Sequence, residues 1–146
     1  MSYTKIKGNI FASKCQVLGN TVNCVGDMGK GIALEFRRRF PEMLHEYKKV
    51  CEKGLLRPGD IFKYPEKGPA RILNFAVKDH WRYPSKEIWV QQCLENFCSN
   101  YKEWQVNSIA LPLMGTKNGG LSESRIEKMT RDYLAGIDDL DVEENE

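Results

Sequence analysis

Two segments of this chain run from an apolar, β-branched stretch into a glycine-rich loop and then into helical periodicity. That repeated pattern limits the fold more than any other feature. The first segment is "NTVNCVGDMGKGIALEF" (20–36), entered from the apolar stretch that begins at Cys15. The second runs from Ser108 to Leu113, through "GTKNGG" (115–120), to Ser122, a residue type suited to capping a helix. A strand, a loop poor in side chains and a helix start make up the repeating unit of an α/β sheet. In open sheets of this kind such loops gather at the carboxyl ends of the strands, where ligands bind.

The rest of the chain supplies compatible elements. Lys5 to Phe11 reads as an opening strand or turn. Ile32, Ala33 and Phe36 share one helix face, and Pro41 ends that helix and starts another carrying Met43, Leu44, Tyr47, Val50 and Cys51 up to Gly54. "GDIFKYPEKGPARILNFAV" (59–77) reads as two strands about a Pro/Gly turn, the second being Ile72 to Val77. Pro84 and Ser85 are expected to open a third helix, with Trp89, Cys93, Phe97 and Tyr101 as its core stripe. Ser122 caps a fourth, with Ile126, Met129, Tyr133 and Leu134 inward, and the acidic end from Asp138 is either a short strand or frayed. Alternating strands and helices predict a mixed, mostly parallel sheet covered on both faces, an α/β/α sandwich, with residues 1–146 as a single domain.

Composition narrows the function classes. A net charge of +2 gives no general attraction to nucleic acid or membrane, so any polyanion must be bound by a local patch. No leader and no apolar run of membrane-spanning length is read, so a soluble, cytoplasmic protein is expected, and a monomer. Cys15, Cys24, Cys51, Cys93 and Cys98 form an odd set without a C-x-x-C pair, which fits buried thiols. His45 and His80 complete no metal-ligand pattern, so no metal site is expected.

Gly26, Gly29 and Gly31 follow the order G-x-x-G-x-G, which is not the dinucleotide fingerprint. Gly31 follows Lys30 where a Walker motif has Ser or Thr. Two glycine loops side by side instead offer backbone N–H groups to two linked phosphates, which suggests a nucleotide diphosphate. Lys78, just past the apolar strand, stands at the same rim if that strand is central. There it is either an anion contact or, when deprotonated, a nucleophile whose pKa burial and the cations Lys30, Arg82 and Lys117 would lower. Arg37, Arg38 and Arg39, with Trp81 and Arg82, are either a nucleic-acid contact or a solvated helix end.

At these residues the chain resembles a macrodomain, the ADP-ribose-binding α/β/α module. The branch it resembles contains the terminal ADP-ribose protein glycohydrolase and the DNA ADP-ribosyl glycohydrolase antitoxins. The matching stretches are "KGNIF", "NTVNCVGDMGKGIALEFRRRFPEM", "ILNFAVKDHWR" and "LPLMGTKNGGL". The resemblance implies a hydrolase that releases ADP-ribose from modified protein or nucleic acid without a cofactor. It implies that Asn9 and Ile10 meet the adenine, that Asn23 meets the distal ribose, and that Met28, Gly29, Lys30, Gly31 and Ile32 wrap that ribose and a phosphate. Gly115, Thr116, Lys117, Asn118, Gly119, Gly120 and Leu121 would hold the diphosphate, and Lys78 matches the lysine on which the branch relies for bond cleavage. Three positions depart from family patterns. Asn9 stands where many macrodomains have aspartate, Gly119 where the protein glycohydrolase has a catalytic aspartate, and Lys117 where a glycine is usual. A reader of ADP-ribose without catalysis and a phosphatase acting on ADP-ribose 1''-phosphate are the alternatives.

Overall fold

The structure, a computed structural model, describes residues 2–146. Strands β1 (Tyr3–Ile6), β2 (Val17–Val22), β3 (Ile61–Tyr64), β4 (Ile72–Ala76), β5 (Ser108–Pro112) and β6 (Asp141–Asn145) form one sheet in the order β1-β6-β5-β2-β4-β3. β3 runs antiparallel to β4, and the other pairings are parallel. Helices α1 (Gly31–Arg39) and α2 (Pro41–Glu52) cover one face, and α3 (Glu87–Asn100) and α4 (Glu123–Leu134) cover the other. The expected three-layer α/β/α sandwich with a mixed, mostly parallel sheet is the observed fold.

The strand pleat distributes the core between the two faces. Along β4, Ile72 and Ala76 join Val22, Phe36, Met43 and Tyr47 under α1 and α2, while Leu73 and Phe75 join Val90, Leu94, Phe97, Ile109 and Ile126 under α3 and α4. All five β4 residues are buried, so β4 is central and its carboxyl end lies on the functional rim. Each fully buried phenylalanine or leucine here contributes about 1.5–3 kcal/mol of transfer free energy. Close approach of β2 to β5 depends on Gly19, because a Cβ there would lie 2.6 Å from Leu111 Cδ2 and 3.2 Å from the Ala110 carbonyl oxygen. No helix among the described residues is long and apolar enough to cross a membrane.

Three expectations change, and a fourth is decided for the short strand. The opening strand is Tyr3–Ile6, and Ile10–Ala12 forms a single 3₁₀ turn because the Asn9 side chain caps it, accepting from the Phe11 N–H at 2.9 Å. α3 starts at Glu87, after Ser85 has turned toward the second glycine loop. The inward stripe of α3 is Val90, Cys93, Leu94 and Phe97; Trp89 is half-buried, with the Lys86 ammonium 5.1 Å from its ring centroid. The acidic end is neither frayed nor peripheral, because β6 pairs with both β1 and β5. Its carboxylates reach hydroxyl donors: Tyr3 OH donates to Glu144 at 2.7 Å and Ser13 Oγ to Glu143 at 2.7 Å. Such charge-assisted bonds offset the cost of burying the acids.

Candidate functional site

Because the central strands are parallel, their carboxyl ends open on one rim, and a cleft of about 810 Å³ lies across it. Gly8 to Phe11 follow β1, Asn23 to Ile32 follow β2, Val77 and Lys78 follow β4, Leu113 to Gly119 follow β5, and Asn145 and Glu146 close β6. Of the residues expected to form a site, Asn9, Ile10, Asn23, Gly29, Lys30, Gly31, Ile32, Lys78, Gly115, Thr116, Lys117, Asn118 and Gly119 line this one cleft. Met28, Gly120 and Leu121 do not. The Met28 side chain is buried in the core, with Asn20 Nδ2 4.0 Å from its sulfur, and Leu121 packs inward while its N–H closes the loop on the Gly115 carbonyl at 3.0 Å.

The first loop is held from below. Asn23 Oδ1 accepts from the N–H groups of Val25 (3.1 Å) and Asp27 (3.3 Å), and its Nδ2 donates to the Asp27 carbonyl at 2.8 Å. The fully buried Tyr47 hydroxyl lies within hydrogen-bond distance of two Asn23 acceptors, the carbonyl oxygen (2.6 Å) and Oδ1 (2.9 Å). The Asn23 side chain is therefore engaged in shaping the loop. Above it, α1 begins at Gly31 with Lys30 as N-cap and no side-chain cap, so the first-turn N–H groups meet no capping side chain at the cleft wall. Asn118 Nδ2 would lie 3.1 Å from a Cβ on Gly31, which is where the two glycine loops meet.

The second loop is pinned by Ser85, whose N–H donates to the Gly119 carbonyl at 3.0 Å. Thr116 Oγ1 donates to the Leu113 carbonyl at 2.8 Å. Ser85 lines the cleft, is buried, and its Oγ has no hydrogen-bond partner among the described residues. A Cβ at Gly119 would fall 2.3 Å from the Gly115 carbonyl oxygen and 2.4 Å from Ser85 Oγ, so an aspartate does not fit there as the loop stands.

Lys78 is half-buried and its Nζ donates to the Trp81 carbonyl at 3.3 Å. Burial first, and the positive charge of Lys30 second, hold its pKa below the usual lysine range. Arg82 and Lys117 have no part in that shift, contrary to expectation. Trp81 is exposed next to it, with the Arg82 guanidinium 5.8 Å from the Trp81 ring, and the exposed Tyr83 ring lies 5.8 Å from that of His80. Arg38 and Arg39 pair with Glu35 in their own helix, and Arg39 also covers Phe11 at 4.3 Å, so the helix-end reading suits these two arginines better. Burial pushes the Cys24 thiol up to about 12, which leaves it unreactive.

One group of carboxylates among the described residues is close enough to share a cation: Glu127, Glu144 and Glu146. Lys5 Nζ already lies 2.6 Å from Glu127 and supplies the counter-charge. Site-lining residues that sequence reasoning missed include Thr21, Asp27, Ser85, Asn145 and Glu146. Ser85 carried a signal only as a helix opener, and Asn145 was masked by the polar character of its strand.

The Macro domain family model matches residues 19–130. A DNA ADP-ribosyl glycohydrolase of Thermus aquaticus is 39% identical over 140 residues, covering 94% of this chain and 39% of that protein. The macrodomain of Mycobacterium tuberculosis DarG is 37% identical with a TM-score of 0.91, covering 98% of this chain and 96% of that one. Thermosipho africanus DarTG, solved in complex with ADP-ribose, is 27% identical with a TM-score of 0.90, covering 99% of this chain and 41% of that one. The chain thus spans about 39% of the length of the curated relatives it matches. A family match across both glycine loops, together with the shared fold, establishes that the chain belongs to the Macro domain family.

Proposed function

We propose that this chain binds ADP-ribose along the rim and hydrolyses ADP-ribosyl conjugates of DNA, with Lys78 as the nucleophile. The observation that carries the reading is the position of Lys78, whose depressed amine shares one cleft with both glycine loops. The loops and the α1 N-terminus present backbone N–H groups to the diphosphate. Asn23 acts through the shape it imposes on the first loop.

In the reaction, the free amine of Lys78 attacks the anomeric carbon of the distal ribose. The bond from that carbon to the nucleic acid breaks, and the leaving group takes a proton. Water then displaces the lysine nitrogen, so that one water is consumed, ADP-ribose leaves and the amine is restored. DNA as carrier is supported by the likeness to the DNA ADP-ribosyl glycohydrolase of Thermus aquaticus. It is also supported by exposed Trp81 beside Lys78, which offers a stacking face next to the Arg82 charge.

The test is release of free ADP-ribose from ADP-ribosylated DNA and ADP-ribosylated protein, comparing wild type with Lys78→Ala over a salt series. Release from DNA that falls with added salt and disappears in the variant is expected, while the variant still binds ADP-ribose. Release that survives the substitution overturns the lysine mechanism. ADP-ribose binding without release from either conjugate would make the chain a reader, and phosphate release from ADP-ribose 1''-phosphate alone would make it a phosphatase.

A further inference from the structure

The far end of the cleft contains a buried polar group that the proposed reaction leaves unused. Asn145 is 7% exposed, lines the cleft, and its Oδ1 has no hydrogen-bond partner among the described residues. A buried amide oxygen left without a partner costs about 1–3 kcal/mol, so an interior position of this kind is kept where something completes it.

The sheet tells which part of a ligand reaches Asn145. β6 is separated from β4, which ends at Lys78, by β5 and β2. Three strand spacings of about 4.8 Å make roughly 14 Å, the scale of a dinucleotide-like ligand and far too long for one ribose. With the distal ribose at Lys78 and the diphosphate at the glycine loops over β2 and β5, the adenosine end falls over β6 and β1. Side chains alternate along β6, so Asn145 shares a face with Glu143, which accepts from Ser13 just after the 3₁₀ turn. Asn145 therefore lies on the side of Asn9, Ile10 and Phe11, the other residues lining this end. Asn9 already commits one acceptor site of its Oδ1 to the Phe11 N–H.

We propose that Asn145 is the residue that selects adenine. This rests on the ADP-ribose reading above. A primary amide presents an acceptor and a donor side by side, which match the 6-amino group of adenine and a neighbouring ring nitrogen. The opening motif, where aspartate is usual, is thereby relieved of that task, and the terminal strand takes it over.

The experiment measures binding of ADP-ribose and of its deamino counterpart, in which hydrogen replaces the 6-amino group, to wild type, Asn145→Ala and Asn145→Leu. The two variants remove the amide but differ in volume, so either one that folds is informative. Wild type is expected to prefer ADP-ribose by about tenfold or more, because the deamino base leaves the buried acceptor unpaired. The variants are expected to bring the two affinities to within about twofold. A ratio unchanged in a folded variant overturns the assignment. Wild type that binds neither compound would instead overturn the ADP-ribose reading itself.

Discussion

Replacing Gly119 with alanine adds one methyl group where the structure has no room for it. The new Cβ would sit 2.3 Å from the Gly115 carbonyl oxygen, 2.8 Å from the Gly115 carbonyl carbon and 2.4 Å from Ser85 Oγ. Ordinary carbon contacts begin near 3.4 Å, so these neighbours must move by about an ångström. Neither moves freely: the Gly115 carbonyl accepts from the Leu121 N–H, and Ser85 is tied to the Gly119 carbonyl by its own N–H. Overpacking of this kind costs about 1–3 kcal/mol. For a chain of this size each kcal/mol lowers Tm by about 2–4 °C, so a fall of roughly 3–10 °C is expected in thermal unfolding. The displaced loop is also expected to bind ADP-ribose about tenfold more weakly in a calorimetric titration, since backbone N–H groups misplaced by an ångström lose their bonds. Adding Ser85→Gly removes the 2.4 Å overlap but leaves the backbone one, so the double variant is expected to recover only in part. Gly119→Ala with wild-type Tm and affinity would refute the packing argument. It would also reopen the site to a carboxylate, which the present geometry keeps out.

Two further predictions concern the lysine and the first loop. In the proposed reaction Lys78 attacks as the free amine, so single-turnover rate should rise as pH climbs through its lowered pKa. Lys30→Gln removes one cause of that depression and is expected to move the midpoint of the rise toward alkaline pH; an unmoved midpoint would sever the link between the two lysines. Tyr47→Phe removes the hydroxyl that lies between two acceptors of Asn23 and is expected to cost about 1–3 kcal/mol. Faster amide exchange across residues 24–29 should accompany that loss, and an unchanged exchange pattern would show that Asn23 holds the loop unaided.

Much of this was legible because the parallel sheet depends on local patterns. Strand-loop-helix units at Cys15 to Phe36 and Ser108 to Leu134 announce a shared rim, and the all-apolar β4 announces a central strand that delivers Lys78 to it. The missed features depend on contacts between distant segments. The acidic end reads as either a short strand or a frayed tail until Tyr3 and Ser13 supply hydroxyls to Glu144 and Glu143 from well over a hundred residues away. Ser85 reads as a helix opener until its N–H is seen on the Gly119 carbonyl. Asn23 reads only as a ligand contact, because a sequence gives its chemistry but not the hydrogen bonds from its side chain to Val25, Asp27 and Tyr47 by which it also shapes the loop.

These features imply a division of labour between backbone and side chains. Where the proposed ligand is repetitive and anionic, at the diphosphate, recognition would fall to main-chain N–H groups, and side chains such as Asn23, Tyr47 and Ser85 fix the path of that main chain. Where the proposed ligand is chemically distinct, at its two ends, a side chain would be needed: an amine lowered in pKa at one end, and an amide whose buried acceptor has no partner at the other. A methyl group at Gly119 and a lost hydroxyl at Tyr47 should therefore damage binding of any ADP-ribosyl compound alike. Changes at Lys78 or Asn145 should separate one reaction, or one base, from another.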